Sequence, residues 1–196
     1  MTETLEALSA RARACRLCVD ALRPFEPRPT FRAHPAARLL IVGQAPGSRV
    51  YETGIPWNDR SGDRLRDWLQ LDRDQFYDAT RVAVLPAGFC YPGVDKHGGD
   101  KPPRPICAPT WHAAFRQHMP DIALTLLIGS YAQRFYLGAD AKKSLGATVA
   151  SWRDHPPSLL PLPHPSWRNT AWLRRNPWFE CDVLPALRSR VAALFA

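Results

Sequence analysis

An α/β fold built on a central, mostly parallel sheet is predicted by three features of the 196-residue sequence. Short unbroken apolar runs, each long enough for one buried strand, recur along the chain. Stretches of helical periodicity separate them. The runs open into loops rich in glycine and proline, as strands do where they leave a parallel sheet for a crossover. A chain of this length buries about two-thirds of its unfolded surface in one core, so residues 1–196 are read as a single domain.

Leu5, Leu8, Ala12 and Cys15 recur at helical spacing, and Cys15-Arg-Leu-Cys18 closes that first helix. Prolines 24, 27, 29 and 35 make the stretch from Asp20 to Pro35 an irregular connection. Leu39 to Val42 reads as the first strand and runs into Gly43-Gln44-Ala45-Pro46-Gly47. In open α/β sheets the loops at the carboxyl ends of strands build the ligand crevice, so Gln44 and the backbone of Ala45, Pro46 and Gly47 are candidate binding groups. Pro56-Trp57-Asn58 then offers a fixed turn, a flat aromatic face and an amide, a set that suits a planar heterocycle. A core role for Trp57 is the alternative. Ser61 is placed to cap a helix over Gly62 to Leu71, with Leu65, Trp68 and Leu69 on one face and the arginines and aspartates on the other.

Arg81 to Leu85 is the second strand, and it enters a loop, Pro86 to Gly93, of the kind that lines a crevice. Val94 to Pro109 is polar and proline-rich and is expected to wrap the surface. Trp111, Ala114, Phe115 and His118 mark a helix, Ile122 to Gly129 the third strand, and Ser130 to Leu137 the helix after it. Ser158 to Leu162 is a short fourth strand ending in Pro163-His164-Pro165-Ser166-Trp167-Arg168-Asn169. Leu184, Leu187, Val191 and Leu194 form a last amphipathic helix.

Lysine and arginine number 26 against 18 acidic residues, giving a net charge of +8, which favours an anionic partner such as nucleic acid. The first residues lack the apolar core of a signal peptide and no run is long enough to span a membrane, so a cytoplasmic location is expected; a monomer is expected as well. In that compartment the five cysteines point to metal rather than to disulfides. Cys15 and Cys18 form C-x2-C, and Cys90 and Cys107 form C-x16-C far downstream. Four thiolates suit an iron–sulfur cluster or zinc; buried structural thiols are the alternative for Cys90 and Cys107. Cys181 fits no such pattern and is expected to pack on the last helix.

Taken together, the loops after the first and fourth strands resemble the uracil-DNA glycosylase superfamily. Its first motif is a strand entering G-[QEM]-x-P-[GY], matched by Gly43 to Gly47, and its second is H-P-S-x-x-[NS], matched by His164 to Asn169. The cysteine spacing is similar to that of the iron–sulfur branch called family 4. That branch's motif G-E-A-P-G-x-x-E-D-x-x-G-x-P-F-V-G-x-A-G aligns without a gap from Gly43 to Gly62. Four departures stand out. Gln44 replaces a glutamate, Val50 and Tyr51 replace an acidic pair, and Trp57 replaces a base-stacking phenylalanine. Pro86 occupies the place of the pyrimidine-reading asparagine.

The resemblance implies a three-layer α/β/α sandwich around a four-stranded sheet, and excision of a deaminated or damaged base, uracil or a relative, from DNA. It implies DNA as partner, with single strands among the candidates, and a [4Fe-4S] cluster on Cys15, Cys18, Cys90 and Cys107, with zinc as the alternative. His164 is then the group that stabilises the departing base, with Gln44 and Asn58 as further catalytic candidates. Gln44 to Gly47, Trp57 and Pro86 would surround the base, and Asn58, Asp59 or Glu52 would position water. Ser166, Trp167, Arg168 and Asn169 would meet the DNA, Arg168 as a phosphate contact or as a wedge. The rival is a nucleic-acid-binding protein that keeps the fold and the cluster but has lost or altered base excision.

Overall fold

The computed structural model describes residues 3–96 and 98–196. Four strands, β1 (Leu39–Val42), β2 (Val82–Val84), β3 (Leu124–Ile128) and β4 (Leu159–Leu162), form one sheet in the order β2-β1-β3-β4 with every pairing parallel. The apolar runs are continuous because both faces of the sheet are covered, as parallel sheets require. Leu39, Ile41, Val82, Val84, Leu124 and Leu126 face one core, while Leu40, Val42, Ala83, Leu85 and Leu127 face the other. Alternation of period two along each strand thus feeds two separate cores, and the molecule is a three-layer α/β/α sandwich.

Ten α-helices surround the sheet among the described residues: α1 (Leu5–Arg13), α2 (Val19–Leu22), α3 (Ser48–Thr53), α4 (Arg60–Leu69), α5 (Arg73–Tyr77), α6 (Cys107–Gln117), α7 (Ser130–Leu137), α8 (Leu145–Ala150), α9 (Thr170–Arg175) and α10 (Leu184–Phe195). α1, α6 and α7 supply Leu8, Trp111, Phe115 and Ala132 to one core. α4, α5, α8, α9 and α10 supply Leu65, Phe76, Val149, Leu173 and Leu187 to the other. No helix among the described residues is long and apolar enough to cross a membrane.

Several local expectations are corrected. α4 begins at Arg60, and its cap is Asp59, whose carboxylate accepts a 2.8 Å bond from the Gly62 amide. An aspartate three residues before a free amide outcompetes the serine beside it because it sits at the helix's first non-helical position. Arg66 belongs to the inner side of α4, being 9% exposed, because Asp63, Tyr77 and the Trp57 carbonyl together accept its guanidinium hydrogens. α1 ends at Arg13, so Cys15 lies beyond it, and Cys18 caps α2. α6 starts at Cys107 and carries Pro109 in its first turn, where the missing amide costs nothing. Cys181 is exposed on a π-helical turn, Phe179–Val183, ahead of α10. The turn puts Phe179 and Val183 inward instead.

The candidate base cleft and a four-thiol cavity

The carboxyl ends of β1, β2 and β4 open into one cleft of about 320 Å3. β1 delivers Gly43 to Gly47, β2 delivers Pro86, and β4 delivers His164, Ser166, Trp167 and Arg168 to its wall. Sequence distance is irrelevant here, because parallel strands end at the same edge of the sheet. The loops after β1 and β2 are zipped together: Ala87 donates to the Gly43 carbonyl at 2.8 Å and Gly88 to the Gln44 carbonyl at 2.9 Å. These bonds prolong the β1–β2 pairing past the last strand residues.

Trp57 forms one side of the cleft in a strained conformation. Its φ of 58° lies in the left-handed region, uncommon for a bulky residue. The surroundings hold it there: the Trp57 carbonyl accepts bonds from Tyr77 Oη at 3.1 Å and Arg66 Nη1 at 3.3 Å. Gly62 is needed opposite, since a Cβ there would meet the Trp57 carbonyl oxygen at 1.8 Å. The indole also leans on Gly43 and stacks on the His164 ring, with centroids 5.4 Å apart. Strain over-determined in this way is found where a side chain must be presented in one orientation.

His164 is held by its loop through Asn169, which donates its amide to the His164 carbonyl at 2.8 Å. Among the described residues neither imidazole nitrogen has a hydrogen-bond partner. Burial lowers the His164 pKa, and Asp59 partly opposes that shift, so the ring is neutral at pH 7 and keeps one N–H to donate. Ser166 is fixed from both sides: its carbonyl accepts from Arg64 at 3.2 Å and its hydroxyl from the Arg168 amide at 3.1 Å. Trp167 is 71% exposed at the cleft mouth, with Arg168 over its ring at 5.6 Å. Arg174 and Arg175 continue the positive edge along α9.

Asn58 does not line the cleft; its amide oxygen accepts from Arg73 at 3.2 Å. Of Asn58, Asp59 and Glu52, Asp59 is the one in the cleft wall. Asn169 supports His164 from behind rather than lining the wall. The stretch expected to wrap the surface partly folds over the cleft instead, contributing Val94, Gly98 and Asp100. Val94 and Asp100 pair as an antiparallel bridge, and the resulting flap is tied down by Gln44, donating to the Lys101 carbonyl at 3.1 Å, and by Arg168, donating to the Gly98 carbonyl at 2.6 Å. Asp100 carried no motif in the sequence. Only its closeness to a proline-rich turn hinted at a fold-back.

Cys15, Cys18, Cys90 and Cys107 line a second cavity, with Leu17, Phe89, Ile106 and Trp111 among its apolar neighbours. Burial pushes the Cys107 thiol up to about 12 and the Cys90 thiol up to about 11, and raises Cys18. The Phe89 amide donates to Cys107 Sγ at 3.2 Å, and the Arg104 and Arg16 charges favour the thiolates of Cys18 and Cys90. Four sulfur donors, an apolar wall, an amide aimed at sulfur and nearby positive charge fit a thiolate-bound metal group. Among the described residues no three His, Cys, Asp or Glu side chains already converge as they would around a single ion.

The loop from Pro86 to Cys90 joins the two cavities. His112 of α6 fixes its cleft end: Nε2 donates to the Pro86 carbonyl at 3.0 Å, and Nδ1 accepts from Tyr136 Oη at 3.0 Å. Burial lowers the His112 pKa to about 4, so this buried imidazole is neutral. Residues 31–188 match the family model described as the uracil DNA glycosylase superfamily.

Proposed function

Because the chain belongs to the uracil DNA glycosylase superfamily, we propose that it hydrolyses the N-glycosidic bond of a deaminated or damaged base in DNA, within the iron–sulfur branch. The observation that carries the reading is the convergence of Gln44, Trp57 and His164 on one cleft at the sheet edge, beside an exposed Trp167 and Arg168. Such an enzyme must take the base out of the stack and stabilise it as it leaves with negative charge. Trp167 and Arg168, in the cleft wall, would fill the gap in the duplex or hold a phosphate. The neutral His164 donates its N–H toward the oxygen that gains charge. The bond from C1′ to the base nitrogen breaks and one from C1′ to water oxygen forms. Asp59, in the cleft wall, would orient that water and accept its proton, while the departing base is reprotonated by solvent.

Cys15, Cys18, Cys90 and Cys107 would hold a [4Fe-4S] cluster, with zinc as the alternative. Its contribution would be structural: it would pin the Pro86–Cys90 loop and the start of α6. The rival reading, a binding protein without base excision, is favoured by one observation. Pro86 offers no side-chain donor or acceptor where relatives read a pyrimidine, and its carbonyl is already taken by His112. An incision assay separates the two. Oligonucleotides carrying uracil, hypoxanthine, xanthine or 3-methylcytosine are incubated with the protein and then cleaved at abasic sites with alkali. Strand breaks at one lesion support the glycosylase; DNA binding without breaks at any of them supports the rival.

A further inference from the structure

Hydrogen bonds within the protein already consume much of what the cleft offers a base. The Pro86 carbonyl is bonded to His112, the Ala87 and Gly88 amides to the loop after β1, and the Gln44 amide nitrogen to Lys101. Those are the groups best placed, on the β1 and β2 side, to read the edge of a pyrimidine. Of the two carboxylates in the cleft wall, Asp59 is engaged by the Gly62 amide at 2.8 Å. The Asp100 carboxylate, in the cleft wall at the flap, makes no hydrogen bond or ion pair among the described residues. The Gln44 amide oxygen likewise has no partner among the described residues. Among the described residues the His164 imidazole and the Ala45 and Gly47 amides, also in the cleft wall, make no hydrogen bond. Ser48 and Ser61 can serve either way.

Resting on the glycosylase reading above, we infer that Asp100 is the specificity-determining residue of the cleft and that the base it selects presents an exocyclic amine or a cationic ring, not uracil. An amino group donates to a carboxylate, whereas the carbonyl oxygens of uracil would face Asp100 with like polarity. The donors of His164, Ala45 and Gly47 remain for the one carbonyl that an amine-bearing pyrimidine retains. A cationic ring gains further from the negative faces of aromatic side chains such as Trp57. Arg168 is the nearby charge that opposes this preference; it is engaged with the Gly98 carbonyl at 2.6 Å, which directs its guanidinium to the flap backbone.

The test is equilibrium binding of the whole chain to oligonucleotides identical except for one nucleotide, either 3-methylcytosine or uracil, with the sugar 2′-fluorinated so that neither is cleaved. The 3-methylcytosine strand should bind about tenfold more tightly or better. Asp100→Asn should bring the ratio close to one without weakening the uracil complex. Thermal melting checks that the variant is folded, and Asp100→Ser should repeat the loss. Equal or tighter binding of uracil by the unaltered protein overturns the inference, as does a ratio that survives both substitutions. Because binding is read without cleavage, absence of base excision would defeat the proposed function and leave this result standing. Preferential excision of uracil would do the reverse.

Discussion

His164→Ala removes the imidazole from the cleft wall, and the structure sets how large the effect should be. The ring is neutral because burial lowers its pKa, so it acts as a hydrogen-bond donor and not as a fixed charge. A single preorganised donor aimed at charge that develops only in the transition state is worth about 10²–10³ in rate, or about 2.7–4 kcal/mol. The contact with an uncharged, bound base is far weaker, so DNA affinity should be nearly unchanged. Losing the stack on Trp57, 5.4 Å away, removes about 0.5–1.5 kcal/mol of ring contact, enough to lower the melting temperature without unfolding the protein. Single-turnover base release at saturating enzyme is the assay, with filter binding on the same oligonucleotide alongside. His164→Gln, which restores an N–H donor, should recover part of the rate. A loss below about tenfold, or a loss seen only in affinity, would refute the assignment.

Three other outcomes follow from the structure. Cys18→Ser should strip iron, acid-labile sulfide and visible absorption from anaerobically purified protein; a colourless, metal-free but normally folded unaltered protein would contradict a cluster site. Arg168→Ala should weaken DNA binding and reduce by about one the slope of log affinity against log salt; an unchanged slope would remove Arg168 from the phosphate contacts. His112, 2% exposed, has its pKa lowered by burial from 6.5 to about 4, so between those values the unfolded chain binds the proton more readily. Stability should therefore be full above pH 6.5 and fall as pH drops toward 4, by up to about 3 kcal/mol. Urea melts across that range check it, and His112→Phe should flatten the dependence.

The fold was legible because parallel strands leave a simple trace: β1 is an unbroken apolar run and β3 is broken only by Thr125. The strand-end loops were legible for the same reason, since Gly43 to Gly47 and His164 to Asn169 directly follow β1 and β4. Trp57 and Arg168 reach the cleft wall as their sequence neighbours suggested. What escaped depends on contacts between residues far apart in the chain. Arg66 looks like a surface arginine on a helix face, and only Tyr77 and the Trp57 carbonyl make it a buried clamp. His112 reads as one more residue on an amphipathic helix until Pro86 and Tyr136 arrive on either side of its ring. Asp100 sits in a polar, proline-rich stretch whose fold-back is decided by Gln44 and Arg168, from two other loops. Asn58 shows the converse: an amide beside the right tryptophan is diverted by Arg73 on a helix the sequence did not announce.

Release of free base tests the central claim most directly. A panel of oligonucleotides carrying uracil, hypoxanthine, xanthine or 3-methylcytosine is mixed with a molar excess of anaerobically purified protein, and the small-molecule fraction is weighed by mass spectrometry. The account predicts one free base released in step with abasic sites, from the unaltered protein and about 10²-fold more slowly from His164→Ala. DNA bound tightly through the whole panel, with no free base and no abasic site from any member, would contradict it.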